Sequence, residues 1–450
     1  MDFTHGTYIR NIKSAGLFGG VQIINIIIGL LKTKFVALLL GTNGFGMFSI
    51  FNSIARMSGD ITGLGIQTSG VKKISNCYEE DHDRLNKSII SVRSWSIFAA
   101  LCGFVITLLM SPLFNLISFG KSESHLLELI FIPFAVSLTT LSGGEIAILK
   151  GTGKQSKLAK LMVAGTLISL IISIPLLYIF GTKAIVISLV ISTFFTYLLC
   201  CHATGLHFSN IPSINDILNC IKSDMALLKL GMAFSLACLA GSGTEYAIRS
   251  FLSTNASLEI VGLYNAGFMI TITYSGVAFS ALEADYFPRL ARNNKIEDML
   301  AVINRQIITN LVIALPLLLA FMPLISSILP ILFSHNFMGA IPFVKVALFG
   351  VVARAAYLPI EYVALAQGKS LLYLFQESVS AILLLTCSIF GYHLYGLIGV
   401  GIGTSISAFI ELIFVTVYTH YAFGYKPSTK VIISTMASFI ILYATYAIIE

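Results

Sequence analysis

The sequence predicts an all-α polytopic membrane protein made of two six-helix lobes, related by a parallel pseudo-two-fold repeat around a central cavity, with an additional C-terminal segment. Three observations carry that prediction. The chain is 56% hydrophobic and only 11% charged, with a mean hydropathy of +0.88, whereas soluble domains carry about a quarter charged residues. Apolar stretches long enough to cross about 30 Å of hydrocarbon as helices recur along its whole length. Short sequence matches recur between the two halves at a nearly constant offset. A β-barrel does not fit, because runs such as Leu161 to Phe180 are continuously apolar and twice the length of the about ten alternating residues of a barrel strand.

The spans follow in order. The first, 15–40, comes after Arg10 and Lys13, and the second, 44–70, runs into Lys72 and Lys73. The third, 92–118, emerges from a stretch holding Arg84, Lys87 and Arg93; the fourth, 126–149, ends at Lys150. Spans 159–180 and 182–204 meet at Phe180-Gly181 and complete an N-terminal lobe, residues 1–205. A cytoplasmic linker, 206–225, leads to a C-terminal lobe, 226–421, with spans 226–252, 260–288, 304–333, 342–366, 371–391 and 395–421. Residues 429–449 read as a further membrane segment, either a thirteenth span that puts Glu450 outside or a re-entrant one.

Lys and Arg favour cytoplasmic connections. With the N-terminus inside, 20 of the 22 Lys and Arg in the connections fall on the cytoplasmic side and only Lys121 and Lys183 on the outer side. The net charge of +7 is therefore a topology signal and needs no nucleic acid partner.

Six basic residues lie within or near the spans: Lys32, Lys34, Arg56, Arg249, Lys345 and Arg354. Lys345 is close enough to a helix end to snorkel. Lys32 and Lys34 can do the same if the first helix is shorter than 15–40, whereas a central charge costs about 2.5–3.5 kcal/mol on the insertion scale, so those that stay within the spans must face protein or water. Arg56 has Asp60 four residues on, and Arg249 has Glu245 four residues before, spacings that set each pair on one helix face. Such pairs either glue helices together or line a shared aqueous cavity.

The matches pair Gly46-Met47-Phe48 with Gly262-Leu263-Tyr264, Lys150-Gly151 with Gln367-Gly368, and Phe180-Gly181 with Tyr395-Gly396. Six spans per half bring both halves in from the same side, hence a parallel repeat. Under the offset, Lys32 and Lys34 bracket the position equivalent to Arg249, and Glu145 falls within one residue of Glu361. At about 1.5 Å per residue, Lys32, Lys34, Glu245 and Arg249 lie toward the outer side. Arg56, Asp60 and Arg354 lie near the middle, and Glu145 and Glu361 toward the cytoplasm. That ladder suits an alternating-access transporter with anionic cargo.

Glu145 and Glu361 are candidates for ion coupling, since a carboxyl facing a partly dry cavity can exchange a proton between conformations; pairing with Lys150 or Lys369 is the structural alternative. Pro288 is expected to end or bend the eighth helix, with Arg289 anchored at the surface opposite Glu283 and Asp285. Asp285 and Arg289 are also candidates for a cytoplasmic gate. Nothing points to catalysis: the connections are too short for a catalytic domain, no Gly-rich loop precedes a Lys-Ser/Thr pair, and the seven cysteines lack metal spacing. No cofactor and no metal are expected. A membrane-embedded polysaccharide polymerase would need a sizeable outer loop.

The run GLLKTKFVALLLGTNGFGMFSIFNSI, followed by GLGIQTSGVKKIS, resembles the start of Wzx-type O-antigen and enterobacterial-common-antigen flippases of the multidrug/oligosaccharidyl-lipid/polysaccharide exporter superfamily. AILKGTGKQSKLAK and EADYFPRLARNNK agree, the latter similar to the family's Asp-Tyr-Tyr-Pro-Arg-Leu stretch with Phe287 replacing the second Tyr; the likeness spans roughly residues 10 to 420. It implies two lobes arranged as a V in the bacterial inner membrane. It also implies movement of undecaprenyl-pyrophosphate-linked oligosaccharide from the cytoplasmic to the periplasmic leaflet, with membrane lipids, a polysaccharide polymerase and a chain-length regulator as partners. A drug or cation antiporter of the same superfamily is the alternative, and would favour an acidic cavity. The expected cationic cavity is Lys32, Lys34, Arg56, Arg249 and Arg354, with Asp60 and Glu245 as charge partners.

Overall fold

The backbone is described for residues 5–78, 82–121, 124–205, 212–215, 217, 220, 225–292 and 296–449 of a computed structural model, and all its regular elements there are helical. In chain order they are α1 (His5–Thr62), α2 (Ile66–Cys77), α3 (His82–Phe119), α4 (Leu126–Gly151), α5 (Gln155–Phe180) and α6 (Ala184–Thr204). There follow α7 (Met225–Asn255), α8 (Leu258–Phe268), a π-helical turn (Met269–Tyr274), α9 (Ser275–Arg292), α10 (Ile296–Leu332), α11 (Ile341–Ala366), α12 (Ser370–Phe423) and α13 (Thr429–Ile449). Among the described residues nine helical stretches are long and apolar enough to cross a membrane. Three of them hold two legs each, broken at Gly41, at Gly181–Lys183 and at Tyr395–Gly396. The chain is a multi-pass membrane protein.

Two boundaries depart from expectation. The second span stops at Thr62: Leu64 and Gly65 take φ of 49° and 61°, and the chain restarts as the short α2, which buries Ile66, Ser69, Gly70 and Ile74. Its exposed face carries Lys72, so the apolar run 44–70 was one span plus one turn of an amphipathic helix. Pro288 does not end its helix, which continues to Arg292. Residues 429–449 form a 21-residue helix, about 31 Å long at 1.5 Å per residue, which packs on α10 and α11.

The repeat is visible atom by atom. α4 ends with Lys154 N–H donating to Leu149 O at 2.9 Å and Gly153 N–H to Lys150 O at 3.1 Å; α11 ends with Lys369 N–H donating to Ala364 O at 2.9 Å and Gly368 N–H to Leu365 O at 3.0 Å. Both are the same six-to-one and five-to-two helix cap. The structural equivalent of Gly368 is therefore Gly153, with φ of 67° and 71°, and not the Gly151 that the sequence match selected. Gly181 (φ 60°, ψ −138°) and Gly396 (φ 59°, ψ −137°) share one conformation. Gly46 and Gly262 meet each other reciprocally: a Cβ on Gly46 would lie 2.1 Å from Leu258 O, and one on Gly262 2.1 Å from Thr42 O.

The chain divides into two compact units, residues 1–40 with 47–246 and residues 41–46 with 247–450. The division runs through α7, because its first half packs on the first unit. There Gly231 meets Gly65 backbone to backbone, and Ser118 and Tyr246 share a hydrogen bond of 2.9 Å. The linker drawn at 206–225 lies largely outside the described residues. The first unit's core gathers Ile66, Ile74, Val92, Trp95 and Ala147. In the second, the reciprocal glycine crossing is sealed by Phe45 against Phe333 and Phe337.

Candidate functional site

In the first unit, Arg56 lies in the second leg of α1 and meets Glu245 of α7, with Nη1 3.2 Å from Oε1 and 3.3 Å from Oε2. The Arg56 side chain is 63% exposed and Glu245 22%. Sequence spacing joined each to a neighbour on its own helix; the structure joins them across two helices. Asp60, the expected partner of Arg56, lies beside both of them. Ser235 donates to the Asp60 backbone carbonyl, which binds α7 to the end of α1. Lys32 donates to Ser169 Oγ at 2.6 Å, and Lys34 is half-buried.

Glu145 is not a carboxyl left to a cavity. Arg93 grips it in the fork geometry that guanidinium and carboxylate favour, Nε to Oε1 at 2.8 Å and Nη2 to Oε2 at 3.0 Å, and Thr204 donates to Oε2 at 2.5 Å. The two side chains are 8% and 5% exposed. The pair binds α3, α4 and α6 into one body. Arg93 had the sequence signature of a topology anchor, and the partner of Glu145 is neither Lys150 nor any other lysine of the connections.

In the second unit, Arg249 is buried, places Nε and Nη2 3.2 and 3.1 Å from Asn265 Oδ1, and stands 5.0 Å over the Phe268 ring. Arg354 donates to the Ile272 carbonyl at 2.9 Å, inside the π-turn, and packs against Gly276. A π-turn leaves carbonyls displaced from their usual i+4 partners, and the guanidinium occupies one of them.

Around Arg354 the structure gathers Glu361 and Glu283 together with two acids that sequence reasoning missed, Glu377 and Glu411. Glu361 on α11 is 6% exposed and Glu411 on α12 is 7% exposed. Glu377 lies close to Glu361 and to Tyr373, while Glu411 accepts a hydrogen bond from Ser380 and lies close to Tyr357. Glu283 accepts from Tyr362 at 2.8 Å. The signal was available: a hairpin at Tyr395–Gly396 sets residues about equally far on either side at one depth, which brings 377 beside 411.

The Asp-Tyr-Phe-Pro-Arg-Leu stretch has a structural role for its tyrosine. Tyr286 is fully buried and donates to Pro359 O at 2.5 Å. Pro359 lacks the N–H that Ala355 O would accept, and buried Asn310 supplies the replacement, Nδ2 to Ala355 O at 3.1 Å. Arg289 is exposed; the Asp285 side chain lies outside the described residues. No group of three or more His, Cys, Asp or Glu placed to hold a metal ion occurs among the described residues.

Comparison with known proteins agrees with this architecture. The chain is 22% identical over 421 residues to the Shigella flexneri protein named "Putative O-antigen transporter", covering 91% of this chain and 97% of that one. The fold is similar to the lipid II flippase MurJ in its inward closed conformation, with a TM-score of 0.68, 14% identity, and 96% and 92% of the two chains covered. It is also similar to an inward-facing MATE transporter of the MOP superfamily, with a TM-score of 0.66, 14% identity, and 91% and 98% covered. The model of the family described as polysaccharide biosynthesis protein matches residues 12–294. The chain belongs to that family of membrane transporters of polysaccharide biosynthesis.

Proposed function

We propose that this protein flips a lipid-linked oligosaccharide, an undecaprenyl-pyrophosphate-linked repeat unit of O-antigen or a related surface polysaccharide, from the cytoplasmic to the periplasmic leaflet of the bacterial inner membrane. The movement is by alternating access, with the N-terminus cytoplasmic. The observation that carries the reading is the Arg56–Glu245 pair. A guanidinium 63% exposed on a membrane-spanning helix requires a water-filled path, since hydrocarbon would not tolerate it. A pyrophosphate offers a guanidinium more negative charge and more acceptor oxygens than one carboxylate does. Glu245 then holds Arg56 between cargo molecules and yields it when a headgroup arrives. Family membership and the near full-length likeness to the Shigella flexneri protein support the cargo class.

Lys32, Lys34, Arg249 and Arg354 extend the cationic track, and Glu361 with Glu377 and Glu411 couples the cycle to an ion. Glu145, the other coupling candidate, is engaged by Arg93 and Thr204.

The test is complementation of a flippase-deficient strain with wild type and with Arg56→Ala, Arg249→Ala and Arg354→Ala, at matched membrane levels, following lipid-linked oligosaccharide. Loss of surface polysaccharide with accumulation of the lipid-linked precursor is the expected outcome, and strongest for Arg56→Ala. Normal export by all three would reduce the arginines to helix glue.

A further inference from the structure

The second unit also holds an apolar groove of about 300 Å³, lined by α10, α11, the second leg of α12, the strap after it and α13. This volume lies within the about 300–1,000 Å³ of small-ligand sites, and none of the lining residues is charged. α13 packs on α10 and α11. The second leg of α12 meets it ring to ring at Phe409 and Phe439, with centroids 5.8 Å apart. Phe409, Ile413 and Val417 recur every four residues along one rim and are exposed, as are Ile432 and Met436 on the other rim; Ala356 and Ile360 on the floor are buried. Of the 21 residues of α13, only Val431, Ser438 and Leu442 are buried. A groove with a closed floor and exposed apolar rims on membrane-spanning helices opens to hydrocarbon chains.

One end of the groove is polar and held in place. Tyr425 lines that end and is fully buried. Asn304 Oδ1 accepts from the Tyr425 hydroxyl and from the Ser428 N–H, each at 3.2 Å, which ties the strap to α10. Ser428 Oγ accepts from the Val431 N–H at 3.3 Å as α13 begins. Lys426 and Lys430, both exposed, flank this strap, and the first turn of α13 contains no acidic residue. A helix N-terminus carries partial positive charge, so the α13 dipole and the two ammonium groups add. The mouth therefore favours an anion, while the groove favours an apolar chain attached to it.

Length narrows the occupant. The rims run over 409–417 and 431–439, about 12 Å each at 1.5 Å per residue, within the about 15 Å of hydrocarbon in one leaflet. The 21 residues of α13 are about as long as the hydrocarbon is thick. Its first turn then lies at the boundary with the lipid phosphates, and the stem of Lys430 can reach along the helix toward them. An acyl chain of a bilayer phospholipid fills one leaflet from such a phosphate, whereas an undecaprenyl chain is far longer than the groove.

We propose that this groove binds an anionic phospholipid of the bilayer, with one acyl chain between α12 and α13 and the phosphate against Lys426 and Lys430. The lipid completes the packing of α13 on its sparsely covered side. The site is separate from the cationic track and needs no cargo.

The full-length protein, purified in a neutral detergent, is titrated with phosphatidylglycerol, phosphatidylethanolamine or undecaprenyl phosphate. Bound lipid is read by native mass spectrometry and stabilisation by thermal unfolding. Two kinds of variant are compared with wild type, each checked for a monodisperse elution profile. Lys426→Gln with Lys430→Gln removes the charge of the mouth. Thr435→Phe fills the groove, which Thr435 lines with its hydroxyl already donating to Val431 O at 2.8 Å, and Thr435→Ala is the control that leaves it open.

Wild type is expected to bind phosphatidylglycerol more tightly than phosphatidylethanolamine. Each lysine removed should weaken phosphatidylglycerol roughly fivefold, the factor a basic residue contributes at an anionic surface, and change phosphatidylethanolamine little. Thr435→Phe should lose both lipids and Thr435→Ala neither. The proposal is overturned if Thr435→Phe binds phosphatidylglycerol as wild type does, or if the double lysine variant keeps the wild-type preference between the two phospholipids. It is equally overturned if undecaprenyl phosphate displaces phosphatidylglycerol, since the groove would then belong to the carrier. No transport is measured, so the outcome stands apart from that of the flipping assay.

Discussion

Asn310 shows how a single buried polar residue can be explained by a proline 49 positions away. The α11 helix keeps Pro359 one turn below Arg354 and two residues before Glu361, and the proline strips Ala355 O of its partner. Asn310 Nδ2 restores it, and Gln306 in turn donates to Asn310 Oδ1. Asn310→Leu should cost about 1–3 kcal/mol, the penalty for a buried carbonyl left without a donor. Thermal unfolding checks this, and Pro359→Ala in the same background should recover part of the loss by returning the N–H. A cycle in which the two substitutions add independently would show that Asn310 does not serve this carbonyl.

At the same scale, sequence spacing set Arg56 with Asp60 and Arg249 with Glu245, whereas the structure puts Arg56 on Glu245 and Arg249 on Asn265. Spacing could propose only neighbours at helical spacing, such as Arg56 with Asp60, because a tertiary contact between α1 and α7 leaves no local pattern. The bond from Arg93 to Glu145 is the clearest case. A buried pair of this kind binds helices only while both members are present, since removal of one leaves a charge without compensation. Nothing in the stretch around Arg93 distinguishes it from the surface cations that set topology.

Element by element, the helices were legible because hydrocarbon admits so few alternatives, and their ends were legible where glycine was required. Gly181 and Gly396 adopt a φ near +60° with ψ near −137°, a region that side chains with a Cβ enter only at a cost of about 1–3 kcal/mol. Both stand at the turn between the last two membrane-spanning legs of their half, and both were visible as an aromatic-Gly match. Gly181→Ala and Gly396→Ala are therefore expected to destabilise by similar amounts, measured as parallel drops in melting temperature. A large drop for one and none for the other would mean that the two hairpins are alike in shape and different in function. The end of the second span was missed for the opposite reason: the apolar run continues past Thr62, and only the Leu64–Gly65 turn interrupts it. The offset itself was found to within two residues, the error lying in the choice of Gly151 over Gly153.

For the whole molecule, the distribution of charge argues for a division of labour. The first unit contains a partly exposed ion pair, Arg56–Glu245, and a buried one, Arg93–Glu145. The second gathers Glu283, Glu361, Glu377 and Glu411 around one guanidinium, Arg354. A low-dielectric cluster with more acids than bases has to take up protons or cations whenever its charge balance changes. A transporter that exposes such a cluster to opposite sides in turn converts that uptake into direction. Glu361 was legible as a charge within a span, whereas Glu377 and Glu411 were assigned to no site because they meet it only through the hairpin at Tyr395–Gly396. Proteoliposomes loaded with a fluorescent lipid-linked oligosaccharide and given a pH or sodium gradient read the coupling directly. Wild type is expected to flip faster under one of the two gradients, and Glu361→Gln and Glu411→Gln to flip at the gradient-free rate under both. If Glu361→Gln still responds to the gradient as wild type does, Glu361 is not the coupling group and the cluster only holds α11 and α12 together.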